Sequence, residues 1–154
     1  MTPRSLDPAA IRARLHEIRL LIDDLKELGE VEAAQLRSNR QRRHVVERVL
    51  SQLVDLAAAI NAHITAVELD RAPDSYRKSF DEIATAGVID RDFAHVLEPS
   101  VGMRNILIHE YLEIDHDEVA AAVPLAIEQY GRYVQQTAAW LLKRMEDQNR
   151  SGGR

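Results

Sequence analysis

The chain has 154 residues, of which 45% are hydrophobic and 29% charged, and its formal net charge is -5. This length and composition predict one globular domain with a single core. The absence of cysteine excludes disulfides, thiolate metal sites and cysteine catalysis, and it fits a reducing cytoplasm. Met1–Asp7 is short and polar without an apolar segment behind it, and no apolar run reaches the roughly 18 residues of a membrane span. We therefore expect a soluble, cytoplasmic protein without a signal peptide.

Hydrophobic periodicity predicts helices in the first half of the chain. Asp7–Pro8 is typical of a helix start, with Asp as N-cap and Pro in the first turn, and Gly29 ends this helix. A second helix begins within Ser38–Asn39 and runs to about Leu69. The pattern leaves open whether residues 30–36 form a short helix or a loop.

The second half continues in the same way after a turn at residues 71–74. A short helix is predicted from Ser75 to Gly87, and Asp90 is expected to cap the next one. Pro99 is expected in the first turn of a further helix, which we call the motif helix.

A long last helix is predicted to start near Asp115, with Pro124 marking a kink or a later start. Residues 149–154 are expected to be a disordered tail, which leaves residues 1–148 as one domain. No strand-like alternation is convincing, so the expected fold class is an all-α bundle of about five to six helices.

The segment Arg104–Tyr111 combines side chains suited to chemistry on a phosphodiester. Arg104 offers a guanidinium that grips phosphate oxygens, and His109 can transfer a proton near neutral pH. Asn105 offers an amide, and Tyr111 offers a hydroxyl and a stacking face.

The motif helix has two apolar sides when its residues are placed on a helical wheel. One is the natural core stripe, made of Met103, Ile106 and Leu107. The other is a second seam, made of Val101, Ile108 and Leu112. A helix that is apolar on both sides is buried on both sides, which predicts a two-fold homodimer through this helix. Arg104 and His109 lie about 140° apart, so a shared site needs Arg104's long reach, an irregular helix end or a second copy's motif.

The order Arg, polar residue, three apolar residues, His, any residue, Tyr resembles the signature of the HEPN superfamily, and more narrowly the HepT-like toxins of prokaryotic toxin–antitoxin pairs. Four further segments resemble that family in the same order: Arg43–Leu50, Asn61–Ile64, Pro73–Tyr76 and Ala86–Ile89. The resemblance covers roughly residues 7 to 125. It departs at Met103, where an aromatic residue often precedes the Arg; we interpret this as a packing substitution.

This resemblance implies a HEPN-like helical bundle and a type VII-like HepT/MNT toxin. The implied activity is that of a metal-independent endoribonuclease without a cofactor. Its implied substrate is RNA, with tRNA as one candidate. Arg104 and His109 would be catalytic, with Asn105 and Tyr111 in support. The implied partner is a minimal nucleotidyltransferase (MNT) antitoxin, which would adenylylate Tyr111.

Each of these residues also has a purely structural interpretation. His109 would be a structural histidine, Arg104 would pair with a nearby Glu, and Tyr111 would only end a helix. The alternative function is a noncatalytic helical binding subunit of a nucleotidyltransferase complex.

Two further groups of polar residues have structural and functional readings. The segment 37–48 carries +4, from five Arg and one Glu, whereas the rest of the chain carries -9. The arginines of this segment are Arg37, Arg40, Arg42, Arg43 and Arg48. They are candidates for contact with RNA or with an acidic partner, or they only form a solvated helix face. Asn61 and His63 are expected to be buried in hydrogen-bonded pairs. The remaining histidines show no ligand spacing, and we predict no metal site.

Overall fold

Six α-helices and one short 3-10 helix make up the described part of this computed structural model, which is residues 4–153 without the side chain of Tyr111. The helices are α1 (Pro8–Glu27), α2 (Ala33–Ser38), α3 (Arg40–Leu69), α4 (Tyr76–Thr85), α5 (Arg91–His109) and α6 (His116–Gly152), with the 3-10 helix at Tyr111–Glu113. No strand occurs among these residues. The predicted all-α class is confirmed, and α2 answers the question left open for residues 30–36.

Side-chain caps explain where most of these helices begin. Asp7 accepts a hydrogen bond from the backbone N–H of Ala10 at 3.1 Å, and Ser75 accepts one from that of Lys78 at 3.1 Å. The side chain of Asp115 likewise accepts from the backbone at the start of α6. Each satisfies an N–H that has no partner within its own helix.

The bundle is organised around α3, which packs against α1, α2, α4, α5 and α6. Leu53, Ile60 and Ile64 on this helix are fully buried. Within the described part of the chain, α3 is the one helix long and apolar enough to cross a membrane, but the rest of the bundle buries 61% of its most apolar window. Its apolar surface is therefore explained by the protein's own core.

The motif helix does not begin at Pro99, contrary to the sequence prediction. α5 is continuous from Arg91 to His109 with Pro99 in its interior. A proline inside a helix removes one hydrogen bond, but buried Phe93 and Leu97 before it and buried Val101 after it tie both halves to the same core. The packing of the whole face outweighs the local cost of the proline.

The last helix is also longer than expected. α6 contains Pro124 in its interior, so the proline does not delay its start. The helix continues to Gly152 and thus includes most of the segment 149–154 for which a disordered tail was predicted. Residues 149–152 are exposed, so helix propagation rather than burial accounts for their conformation.

A buried polar network connects α3, α4 and α6. The Tyr133 hydroxyl donates to Asn61 Oδ1 at 2.6 Å, and Asn61 Nδ2 donates to Ser79 Oγ at 3.1 Å. Ser79 Oγ in turn donates to the carbonyl of Tyr76 at 2.6 Å. Burial raises the pKa of the Tyr133 hydroxyl well above its ordinary value, which keeps the donor protonated. Asn61 thus has the buried role predicted for it, whereas His63 does not pair with it.

His63 has a different contact at the edge of the bundle. Its Nε2 accepts a hydrogen bond from the backbone N–H of Asp7 at 3.0 Å. This bond therefore joins the N-cap residue of α1 to the second half of α3.

Candidate functional site

The motif residues lie along the C-terminal half of α5 and in the turn that follows it. Arg104 is half-buried, Asn105 is exposed, and His109 is the last residue of α5 and exposed. Tyr111 opens the 3-10 helix, so it does not continue the surface of α5. Its side chain lies outside the described residues, and its expected roles stay predictions.

Arg104 is held by three neighbours. Its Nε donates to Asp55 Oδ1 at 2.9 Å, and its Nη1 donates to Asn105 Oδ1 at 3.3 Å. The guanidinium carbon lies 5.0 Å from the centroid of the Tyr76 ring, a distance typical of a cation–π contact. Among the described residues its Nη2 has no hydrogen-bond partner. The guanidinium is therefore oriented, and one of its nitrogens can still meet a phosphate oxygen.

Arg104 and His109 do not share one face of the molecule. α5 runs without interruption through both residues, so they are about 140° apart around the helix and about 7.5 Å apart along it. A single copy thus presents the cation and the imidazole on different sides. The reason is the five-residue spacing, which is neither three nor four.

Asp55, Tyr76 and Arg77 belong to the site but were missed as site residues. Together with Arg104 and Asn105, Tyr76 and Arg77 line a cavity of about 300 Å³ between α4 and α5. Asp55 lies 49 positions before Arg104, so spacing along the chain gives no sign of the pair. The one available signal is that Asp55 interrupts an otherwise apolar stretch of α3.

The second apolar seam predicted on the motif helix is wrong for Val101. Val101 is 2% exposed and belongs to the core, whereas Ile108 is 44% exposed and Leu112 is 86% exposed. Leu112 does not continue this side of α5, because the helix ends at His109 and the chain changes to a 3-10 turn. Ile108 and Leu112, which flank His109 in sequence, remain as exposed apolar side chains.

The basic segment contains arginines with different surroundings. Arg42 donates to the carbonyl of Leu28 at 2.8 Å, where it satisfies the end of α1, and Arg43 lies 3.8 Å from Glu47. Arg37 pairs with Asp117 at 2.9 Å. These three arginines contact other parts of the protein.

The other two arginines of the segment, Arg40 and Arg48, are exposed. Neither forms an ion pair with a described carboxylate. They are therefore the arginines of this segment best placed to meet an external phosphate.

One cluster of potential metal ligands lies away from the motif, although the sequence showed no ligand spacing for its histidine. Asp81, His95 and Glu98 bring one ligand atom each within 4.8 Å of one another. The Arg91 guanidinium also lies 3.9 Å from Asp81, and a cation at this position competes with a metal ion. The described geometry is therefore explained by an ion-paired surface cluster.

The chain is similar to known proteins in both sequence and fold. A family model described as "Ribonuclease HepT-like" matches residues 18–137. The chain is 29% identical over 145 residues to "tRNA nuclease HepT" of Aphanizomenon flos-aquae, with 94% of this chain and 98% of that protein covered. It is 28% identical over 89 residues to "mRNA nuclease HepT" of Shewanella oneidensis, with 58% and 64% covered. The solved structure of a tri-AMPylated S. oneidensis HEPN toxin in complex with MNT antitoxin superposes with a TM-score of 0.76 at 23% identity, covering 84% of this chain and 97% of that one.

Proposed function

Because this chain belongs to the HepT-like family, as its motif indicated, we propose that it is the toxin of a HepT/MNT pair and a metal-independent endoribonuclease. The observation that carries the proposal is the Arg104 guanidinium, which Asp55 and Asn105 orient while one terminal nitrogen stays available to a phosphate. The relatives named as tRNA and mRNA nucleases support RNA as the substrate class.

The proposed reaction is a transesterification within one RNA strand. The 2'-hydroxyl attacks the adjacent phosphorus while the bond from phosphorus to the 5'-oxygen breaks, which leaves a 2',3'-cyclic phosphate and a free 5'-hydroxyl. His109 takes the proton of the 2'-hydroxyl or gives one to the leaving oxygen, a role that contributes roughly 100- to 10,000-fold in rate. Arg104 binds the nonbridging oxygens and stabilises the charge that develops on them. These bond changes balance without a redox partner or a cofactor.

A second copy of the chain completes the proposed site. Arg104 and His109 are on different sides of α5, and Ile108 and Leu112, which flank His109 in sequence, expose apolar surface. An isologous contact over this surface places each motif next to the other copy's motif. The proposed homodimer therefore follows from the incomplete site as well as from the exposed apolar residues.

The proposed antitoxin acts by modifying Tyr111. Its neighbours Glu110 and Leu112 are exposed, so the backbone of this segment is at the surface, where a transferase can reach it. An adenylate there adds phosphate charge two residues from His109. The tri-AMPylated toxin bound to MNT antitoxin in S. oneidensis supports this kind of regulation. We place the pair in the cytoplasm.

Cleavage of RNA in the presence of EDTA tests the proposed function. The parent protein is expected to cut RNA and leave cyclic phosphate ends, and His109→Ala and Arg104→Ala are expected to lose this activity while remaining folded. His16→Ala is the matched control, because His16 is an exposed histidine on α1. In cells, the same two motif variants should relieve growth arrest, and the control should not.

The rival function, a noncatalytic binding subunit, predicts a different result in the same experiment. Such a protein would form the complex with the transferase and would leave RNA intact under all conditions. Equal cleavage by the parent and by both motif variants would instead show that the activity comes from elsewhere.

A further inference from the structure

A cleft opens beside Arg104, where α4 packs against α5. It lies between the start of α4 and the middle of α5, has a volume of about 300 Å³, and is lined by Ser75, Tyr76, Arg77, Val101, Arg104 and Asn105. Pockets of this volume are at the small end of those that hold organic ligands. The cleft therefore has room for one nucleotide and not for a longer stretch of strand.

Arg77 gives this cleft a second cation. It is exposed and reaches from α4 towards α5, with its Nη2 atom 3.8 Å from where a Cβ would stand on Gly102. No described carboxylate forms an ion pair with it. Asp55 offsets the charge of Arg104, so Arg77 is the guanidinium that leaves the cleft net positive. A guanidinium can bind a phosphate through two parallel hydrogen bonds, so a phosphate is the expected ligand of Arg77.

Tyr76 gives the cleft an aromatic surface. It is 38% exposed, although large aromatic side chains elsewhere in this bundle, such as Phe80 and Tyr133, are buried. The Ser79 hydroxyl holds its carbonyl at 2.6 Å, and Ser79 is itself fixed by buried Asn61. The ring thus stands on a backbone that the core network immobilises, which lowers the entropy cost of stacking a ligand on it.

We propose that this cleft is a nucleotide subsite, in which a base stacks on the face of the Tyr76 ring that the Arg104 guanidinium leaves uncovered and Arg77 binds the phosphate of the same nucleotide. The proposal rests on the proposed ribonuclease function and identifies the ligand as a nucleotide of the RNA next to the one whose phosphate meets Arg104. Aromatic rings and basic side chains in alternation are the usual means of binding single-stranded RNA. A free mononucleotide has the same chemistry and is the other source to distinguish.

The test measures binding and cleavage separately on the full-length protein. Binding uses a fluorescent 2'-O-methyl RNA, which cannot be cleaved by attack of the 2'-oxygen, at several salt concentrations. Tyr76→Leu is expected to weaken binding about tenfold, whereas Tyr76→Phe keeps the ring and should bind like the parent. Arg77→Gln is expected to lower the slope of log affinity against log salt by about 0.7, the value for one phosphate contact on a single strand.

A matched control removes the same charge elsewhere. Arg19→Gln changes an exposed arginine on α1, and α1 makes no contact with α4 or α5 among the described residues, so neither affinity nor salt slope should change. Unchanged RNA binding in Tyr76→Leu and Arg77→Gln, in a protein that cleaves RNA, would overturn the subsite and leave the ribonuclease intact. A parent that neither binds nor cleaves RNA would overturn both. Displacement of the RNA by AMP from the parent, but not from Tyr76→Leu, would support the subsite and show that it also takes free nucleotides.

Discussion

Replacing Asp55 by Asn tests whether this carboxylate orients the proposed catalytic arginine. Asp55 Oδ1 and Arg104 Nε are 2.9 Å apart, and the two side chains are 39% and 19% exposed. The substitution keeps an oxygen that can accept a hydrogen bond but removes the negative charge. The guanidinium then has a weaker anchor on one side and keeps only Asn105 and the Tyr76 ring as its other contacts.

The expected loss of stability is small. Ion pairs at the surface contribute up to about 1 kcal/mol, and this pair is only partly shielded from solvent. For a domain of this size, about 1 kcal/mol corresponds to a fall in Tm of roughly 2–4 °C. The expected loss of activity is larger, because a displacement of about 1 Å in a positioning contact can cost on the order of 100-fold in rate. We expect kcat to fall at least about tenfold, equivalent to about 1.4 kcal/mol in the barrier.

The split between kcat and KM distinguishes positioning from general damage. Removal of the Asp55 charge makes the site more positive, so RNA should bind as well as before or better, and KM should not rise. The assay is steady-state cleavage of a short RNA, with thermal unfolding measured in parallel. Asp55→Asn with a kcat within twofold of the parent would refute the idea that this contact orients Arg104.

The chain offers a matched control on the same helix. Glu68 and Arg144 form an ion pair at 2.8 Å, and their side chains are 22% and 31% exposed. The position of Glu68, 13 residues from Asp55, corresponds to about 20 Å along α3. Glu68→Gln should therefore lower Tm by a similar amount without changing kcat. Equal losses of kcat in both variants would mean that reduced stability, not orientation, explains the effect.

Three further outcomes are expected. Ile108→Asp should convert the homodimer into monomers in sedimentation, since an uncompensated charge at a buried interface costs several kcal/mol. The control Leu142→Asp, at a residue that is 59% exposed on α6, should stay dimeric. A monomeric parent at micromolar concentration would exclude the dimer. Co-expression with the cognate transferase should add one or more adenylates to the protein, which intact-mass spectrometry detects as a gain of mass. Tyr111→Phe should abolish this gain, and the control Tyr76→Phe should keep it. An adenylate on another residue would contradict the assignment. Tyr133→Phe should lower the free energy of unfolding by about 1–3 kcal/mol, because the buried Asn61 Oδ1 loses its donor at 2.6 Å. A denaturant titration that shows no change would mean that the network adds no stability.

Much of the fold could be predicted because its signals are local. The caps at Asp7 and Ser75 and the glycines at positive φ that follow α1 and α4, Gly29 and Gly87, mark boundaries within a few residues of sequence. Pro99 was misinterpreted for the opposite reason. Its local cost argues for a helix end, and only the tertiary packing on both sides of it shows that α5 continues.

The site was less predictable, since its contacts join distant parts of the chain. The motif gave Arg104, but Asp55 meets it only because α3 and α5 pack side by side. The role of Arg42 likewise depends on where α1 ends, 14 residues earlier. A charge run in the sequence therefore overestimates the number of arginines that are available to a partner.

The exposed apolar residues beside His109 connect the proposed dimer to the proposed chemistry and its regulation. Ile108 and Leu112 flank His109 in sequence, and in the proposed dimer a second copy that covers them would bring its Arg104 towards this imidazole. Within one chain the two side chains point about 140° apart around α5, and the contact with Asp55 holds Arg104 on its own side of the helix. Tyr111 lies between these apolar residues in sequence, so an adenylate on it would put phosphate charge at the same contact. That charge would compete with RNA for Arg104 and would have to be accommodated in an otherwise apolar interface. A single modification would thus act on substrate binding and on the assembly of the site together.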